Sequence, residues 1–198
     1  MQSPSAREWR TCRIYDPAID YRDKVDADGN PITKRVGDDD QRVCRSDAAA
    51  FLQDRDPSVL TFIEGRQPAW FVLSPLGIGQ LRHYVERPED TAERYLRAFE
   101  CAIVRIDGWA CSAADAPVSL AFEQSTIDGV ARAKESEIDK AMQAGLTLSD
   151  IREIGAAAYA RASVPLGFAG RSQVPRSSLV ALATHPSRSL SADLSAEK

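Results

Sequence analysis

Between Val59 and Ile106 short apolar runs around a Gly/Pro turn give way to a helical spacing of apolar residues, and that change restricts the folds open to the chain. Val59 to Glu64 and Ala69 to Leu73 are short runs rich in β-branched and aromatic residues, separated by the turn formers Gly65, Arg66, Gln67 and Pro68. Two such runs around a Gly/Pro turn read as a β-hairpin. Ser74-Pro75 then offers an N-cap and a first-turn proline, which predicts a helix to about Val85 with Leu76, Gln80 and Tyr84 along one side. Arg87-Pro88 breaks that helix. A longer one is predicted from Glu89 to Ile106, because Tyr95, Phe99 and Ile103 recur at fourfold spacing. Strand-sized apolar runs followed by helical periodicity in one compact stretch imply an α+β fold, a small β-hairpin or sheet packed on a helical bundle.

The flanks carry weaker signals. Glu8 to Tyr15, anchored by Trp9, Cys12, Ile14 and Tyr15, reads as a short strand, and Asp26-Ala-Asp-Gly-Asn-Pro31 as a turn whose flanks, Lys24-Val25 and Ile32-Thr33, form a hairpin or an extended loop. Asp38-Asp39-Asp40 reads as a solvated loop, and Ser46-Asp47 as the N-cap of a helix from Ala48 to Gln53. Residues 109–124 read as a packed connector without a period. Ser125-Thr-Ile-Asp128 matches a capping box ahead of a helix to about Ala144, with Gly145 as its stop. A last helix starts near Thr147 or Ser149 and ends near Ala162, and its Gly155-Ala-Ala-Ala158 run would allow close packing against another chain. From Ser163 to Lys198 the composition shifts: eight of 36 residues are serine, and Pro165, Pro175 and Pro186 interrupt the rest. Three parts are therefore expected: an α+β domain over 1–110, a helical annex over 111–162, and an extended Ser/Pro-rich C-terminal arm over 163–198. With the polar residues at the N-terminus, the chain should carry an extended arm at each end.

Charge and chemistry exclude more than they suggest. The 198 residues hold 25 Lys and Arg against 29 Asp and Glu, so direct nucleic-acid contact is not expected. No apolar run approaches a membrane-spanning length, and Met1 to Glu8 has no apolar stretch of the secretory kind. Cys12, Cys44, Cys101 and Cys111 form no C-x-x-C pair, and with only His83 and His185 no zinc spacing exists. The even cysteine count leaves free thiols and disulfides both open.

Three fragments invite a sharper reading and fail on spacing. Asp26-x-Asp28-Gly-Asn30 has its glycine at the fourth position of a calcium loop instead of the sixth, and Gly37 stands where the closing Glu belongs. Gly77-Ile-Gly79 lacks the third glycine of a dinucleotide loop, Arg82 standing in its place. His83 with Cys101 or Cys111 has no orienting Asn or Asp. Arg82, Arg87, Arg94, Arg97 and Arg105 are expected to pair with Glu86, Glu89, Glu93 and Glu100 on solvated faces. No catalytic, cofactor-binding or metal-binding residue is expected, and the chain is expected not to be an enzyme. Partner contact is expected instead at Trp9 and at the apolar anchors of the arm, Val164, Leu166, Phe168, Leu179, Val180 and Leu182.

The stretch from Thr61 through Phe71-Val-Leu-Ser-Pro-Leu76, the helices leading to Ile103-Val-Arg-Ile-Asp-Gly-Trp109, and the late Leu148 to Ala158 segment together resemble small tailed-bacteriophage proteins of the tail-assembly and virion-associated type. The likeness covers about residues 59–162 and consists of element order and a few words. It implies a structural subunit of the virion, made in the host cytoplasm, that works by contact with other virion proteins and with copies of itself. The alternative is a cytoplasmic tail-assembly chaperone that leaves before completion; a small phage-encoded enzyme is the remote one. No catalytic residue, membrane or small-molecule substrate comes with the resemblance.

Overall fold

The structure, a computed structural model, describes residues 8–110 and 116–163. It is α+β. The elements in order are β1 (Trp9–Thr11), β2 (Thr33–Val36), β3 (Asp39–Arg42), α1 (Ala48–Asp54), a 3-10 turn (Pro57–Val59), β4 (Trp70–Leu73) and α2 (Ile78–Gln80). A π-turn (Leu81–Val85) follows, then α3 (Thr91–Ala102), β5 (Ile103–Trp109), β6 (Val118–Ala121), β7 (Gln124–Ile127), β8 (Val130–Ala133), α4 (Glu135–Gln143) and α5 (Leu148–Ser163). The central sheet is antiparallel, in the order β1-β4-β5-β6, while β2-β3 and β7-β8 are separate two-stranded ribbons.

Strand alternation divides the sheet into two faces. Thr11, Phe71, Ile106 and Leu120 stand in one cross-strand row. Phe71, Leu73, Ile103, Ile106 and Trp109 share one buried cluster with Phe99 of α3, Ile138 of α4, and Ile151 and Ile154 of α5. Phe71 meets Trp109 edge-on at 6.2 Å, and Trp109 Nε1 donates to the carbonyl of Ala144 at 2.7 Å, which ties the sheet to the end of α4. On the opposite face Trp70 joins Cys12, Ile19, Phe51 and Leu60 in a smaller core.

Several expectations are corrected. Val59 to Glu64 is no strand: the N-cap Asp56 and the following Pro57 wind Pro57–Val59 into a 3-10 turn, and Phe62 makes only an isolated bridge to Ile19. Trp70–Leu73 pairs with β1 and β5 instead of a hairpin partner. The helix expected to Ile106 stops at Ala102, because Ile103, Arg105 and Ile106 gain a ladder with β4, Ile103 and Ile106 being β-branched. The buried residues of β5 (Ile103, Ile106 and Trp109) recur every third position along an irregular register, and that spacing mimics a helix. The supposed connector 109–124 contains β6.

Ser125 to Asp128 caps nothing. Asp128 and Gly129 both have positive φ, 54° and 77°, and form the two-residue turn of the β7-β8 hairpin. The working capping box lies at Thr147, whose Oγ1 accepts from Asp150 N at 3.1 Å while Asp150 Oδ2 accepts from Thr147 N at 3.0 Å. Asp39 and Asp40, expected in a loop, belong to β3. The boundary placed at residue 110 falls inside one core: Phe122, Val130, Ala133 and Ile151 share the cluster of Phe71 and Phe99.

The small-residue run of α5 packs on this chain's own α3, not on another chain. A Cβ at Gly155 would lie 1.9 Å from the Tyr95 carbonyl oxygen, so the two helices touch through backbone. Gly to Ala in an unconstrained helix stabilises by about 1 kcal/mol. Here Gly155→Ala should instead destabilise by about 1–3 kcal/mol, the cost of forcing packed elements apart. Urea unfolding of the variant gives the sign directly; a rise in midpoint would refute the close crossing.

Candidate interaction surface

The residues that leave the body of the fold are those of a ribbon between Arg22 and Arg45. Every residue from Lys24 to Arg42 is exposed, Val25, Ile32 and Val36 included. Its order is nevertheless defined by hydrogen bonds. Asp26 Oδ1 accepts from Asp28 N and Asn30 N, each at 2.9 Å, and Gly29 takes a φ of +85° to close that loop. The carboxylate is thus committed to an Asx-type turn. Among the described residues no group of three or more His, Cys, Asp or Glu could hold a metal ion.

After the bridge Val25↔Pro31, β2 and β3 pair in register, Lys34 opposite Gln41 and Arg35 opposite Asp40. Gly37, at φ +65°, occupies the first central position of their two-residue turn. One ribbon face, with Lys34, Val36 and Gln41, lines an open groove of about 650 Å³ against the body, together with Tyr21, Cys44 and Val59. The opposite pairs, Thr33 with Arg42 and Arg35 with Asp40, lie on the other face.

One buried carboxylate holds both feet of the ribbon. Asp20 receives Arg22 Nε at 2.8 Å and Nη2 at 2.7 Å on one foot, and Arg45 Nη1 at 3.2 Å on the other. The Arg22 fork, then the Arg22 backbone N–H and the Arg45 charge, hold the Asp20 carboxyl well below the usual carboxylate range. Ser46 completes the anchor: its hydroxyl donates to the Asp20 carbonyl at 2.8 Å and accepts from Thr61 N at 2.9 Å.

A second cluster lies where the π-turn meets α3 and β8. The π-turn closes with Glu86 N donating to Leu81 O at 2.9 Å, a five-residue step that turns Tyr84 toward both elements. Tyr84 Oη donates to Glu100 at 2.5 Å and accepts from Arg132, while the Arg97 guanidinium lies 4.7 Å from the ring centroid. Burial pushes the Tyr84 phenol up to about 12 and raises the Glu100 carboxyl. Each polar group here has a partner within the chain, so the cluster joins three elements of the fold. A smaller cleft of about 320 Å³ beside Arg13, Asp16, Arg66 and Gly108 is similarly committed: Asp16 accepts from Ala18 N and Ala69 N, and Arg66 donates to the Pro17 carbonyl.

The residues singled out from sequence separate. Trp9 lies in edge strand β1, half-buried, beneath the Arg161 guanidinium at 4.7 Å near the end of α5. Val164, Leu166, Phe168, Leu179, Val180 and Leu182 lie outside the described residues, as do Cys111 and His185. Cys12, Cys44 and Cys101 are free. Burial pushes the Cys12 and Cys101 thiols up to about 12, which withholds their thiolates at neutral pH. His83 is exposed on the π-turn. Gly77 N donates to Gln80 Oε1 at 2.7 Å, so the G-x-G fragment is occupied by its own helix start. Of the expected arginine pairs only Arg97–Glu93 forms as drawn, at 3.0 Å; Arg105 sits on β5 with Asp107 and Glu8 instead. Among the described residues no helix is long and apolar enough to cross a membrane.

Sequence reasoning missed the ribbon as a surface. It found the Asp26 to Pro31 turn and a hairpin or extended loop on its flanks but took Asp38 to Asp40 as loop, although Gly37-Asp38 is a usable signal for a tight turn. No family model, no curated protein and no solved structure matches the chain.

The Asp20 anchor gives a pH dependence with a definite sign. Its folded-state pKa lies below the unfolded value of about 3.9, so its contribution is complete above that value and is lost as pH falls through the folded one. Stability of the parent chain should therefore fall on acidification below about pH 4. Asp20→Asn should be less stable at neutral pH and show a shallower acid limb. Urea unfolding of both chains across that range checks it; parallel acid limbs would remove Asp20 from the anchor.

Proposed function

We propose that this chain is a non-enzymatic structural subunit of a phage particle, of its head, neck or tail, acting by protein–protein contact. The observation that carries a contact role is the β2-β3 ribbon. An exposed segment with ordered backbone pairing and no core of its own places its side chains and one strand edge where a neighbour can reach them. The buried thiols and the internally paired Tyr84 cluster support the same reading, since the polar groups of the fold are spent on holding it together. The assignment to a phage particle rests on the resemblance over residues 59–162, with the C-terminal arm docking on neighbours and the virion as the location.

Mass spectrometry of purified particles from infected cells tests the reading. The protein should be present in stoichiometric amount, and a chain truncated after Ser163 should be incorporated poorly. Its absence from particles, with accumulation in the lysate, would assign it instead to transient tail assembly.

A further inference from the structure

We propose that the open edge of β3 is a self-docking strand: two copies pair it antiparallel across a two-fold axis, Asp40 of each opposite Arg42 of the other. The proposal rests on the contact role above and names one partner, a second copy of this chain.

The free edge follows from the backbone bonds at the ribbon's base. Val43 N donates to Ile32 O, Lys24 N donates to Val43 O, and Arg45 N donates to Arg22 O. Val43 and Arg45 therefore point their backbone groups inward, toward the other two segments of the ribbon. N–H and C=O of one residue leave a strand on the same side, and the side alternates along the chain. Gln41 and Asp39 consequently face β2, while Asp40, Arg42 and Cys44 present their N–H and C=O outward. Among the described residues nothing pairs with that edge, β3 having β2 as its strand partner.

Charge then selects both the strand and the register. Only outward-facing residues can stand opposite each other as hydrogen-bonded pairs. Setting Asp40 against Arg42 of the second copy makes two reciprocal opposite-charge pairs and puts Gln41 against itself on the axis; Arg42 Nη1 already donates to Asp23 Oδ2 of its own chain at 2.9 Å, so the guanidinium would bridge Asp23 and the second copy's carboxylate. A shift of two residues either way brings Asp40 against Asp40, or Arg42 against Arg42. The outer edge of β2 offers no such solution: registers centred on Lys34 or Arg35 place like charges against each other, and those centred on Thr33 or Val36 make no opposite-charge pair within the strand. Basic residues of that kind block an edge, whereas the sequence Asp39-Asp-Gln-Arg42 does not. The contact is isologous, so it closes at two copies and joins the ribbons into one four-stranded sheet, β2-β3-β3-β2.

The test is disulfide trapping in the full-length chain carrying Cys44→Ser. Adding Gln41→Cys places a thiol on the two-fold axis at a non-hydrogen-bonded position, where facing side chains lie closest. Mild oxidation should give a covalent dimer on non-reducing gels, well above the background set by the Cys44→Ser chain, which retains Cys12, Cys101 and Cys111. Lys34→Cys, on the other edge, should stay at that background. Further addition of Arg42→Asp should cut the dimer to about one-tenth, through like-charge juxtaposition. The swap Asp40→Arg with Arg42→Asp, made together with Asp23→Asn so that residue 42 meets no like charge within its own chain, should restore it, with circular dichroism confirming that each variant is folded. No Gln41→Cys dimer, equal trapping at Lys34→Cys, or no rescue by the swap would each overturn the proposal. A protein found in particles but giving no dimer would overturn the edge pairing and leave the virion reading intact. A dimer from a protein absent from particles would do the reverse.

Discussion

The contact between α3 and α5 at Gly155 is the constraint on which the rest of the molecule depends. With no side chain at that position, the backbone of α5 can lie against the Tyr95 carbonyl. The approach brings Ile151 and Ile154 into the main core and sets Tyr159 at 6.2 Å from Tyr95. It also fixes where the other side of α5 points. Glu153 reaches the N-terminal segment, accepting from Ile14 N at 2.9 Å and from Arg55 Nη1 at 2.8 Å. Asp150, having capped its own helix, meets Arg13 at 3.5 Å. One close helix crossing thus positions the segment that runs through Asp16 to Asp20, and Asp20 in turn holds the ribbon.

These polar links act as position setters more than as sources of stability. Burial raises the Glu153 carboxyl even against the favourable charge of Arg55. A buried pair of this kind adds little net stability, yet removing one partner costs about 3–5 kcal/mol because the other charge is left alone. The apolar clusters on the two sheet faces carry the folding free energy. The ribbon has no share in either cluster. It is held by its own backbone bonds and by its anchor, so it belongs to the part of the fold that opens most easily, where contact elements commonly lie.

The α+β class was legible because the apolar, strand-sized run at Ala69 to Leu73 is followed by helical periodicity through Tyr95 and Phe99. The helix over Ala48–Asp54 was legible from Asp47, whose side chain does accept from Ala50 N. The misses share a physical cause, in that local patterns were compatible with two partners and tertiary pairing chose. Ile103 fits the stripe of α3 and also the ladder with β4, and the ladder won. Ser125 could have capped a helix, but Asp128-Gly129 makes a tighter commitment to a hairpin. Of the ribbon only the base around Asp26 to Pro31 was legible as a hairpin or an extended loop; β2 and β3 were hidden because their residues are polar on both faces, which in sequence reads as loop. Pairing of Lys34 with Gln41 and Arg35 with Asp40 is a property of register, and composition does not report it.

The contact role we propose sits in the ribbon, while the folding free energy sits in the two apolar clusters. Lys24 and Val43 are joined by a backbone hydrogen bond of 2.7 Å, so residues 25–42 can be exchanged for a two-residue Asn-Gly turn with little disturbance at the base. The direct measurement is the unfolding midpoint of that shortened chain together with its incorporation into particles. An unchanged midpoint with incorporation lost is the predicted result. Normal incorporation, or collapse of the fold, would contradict the account.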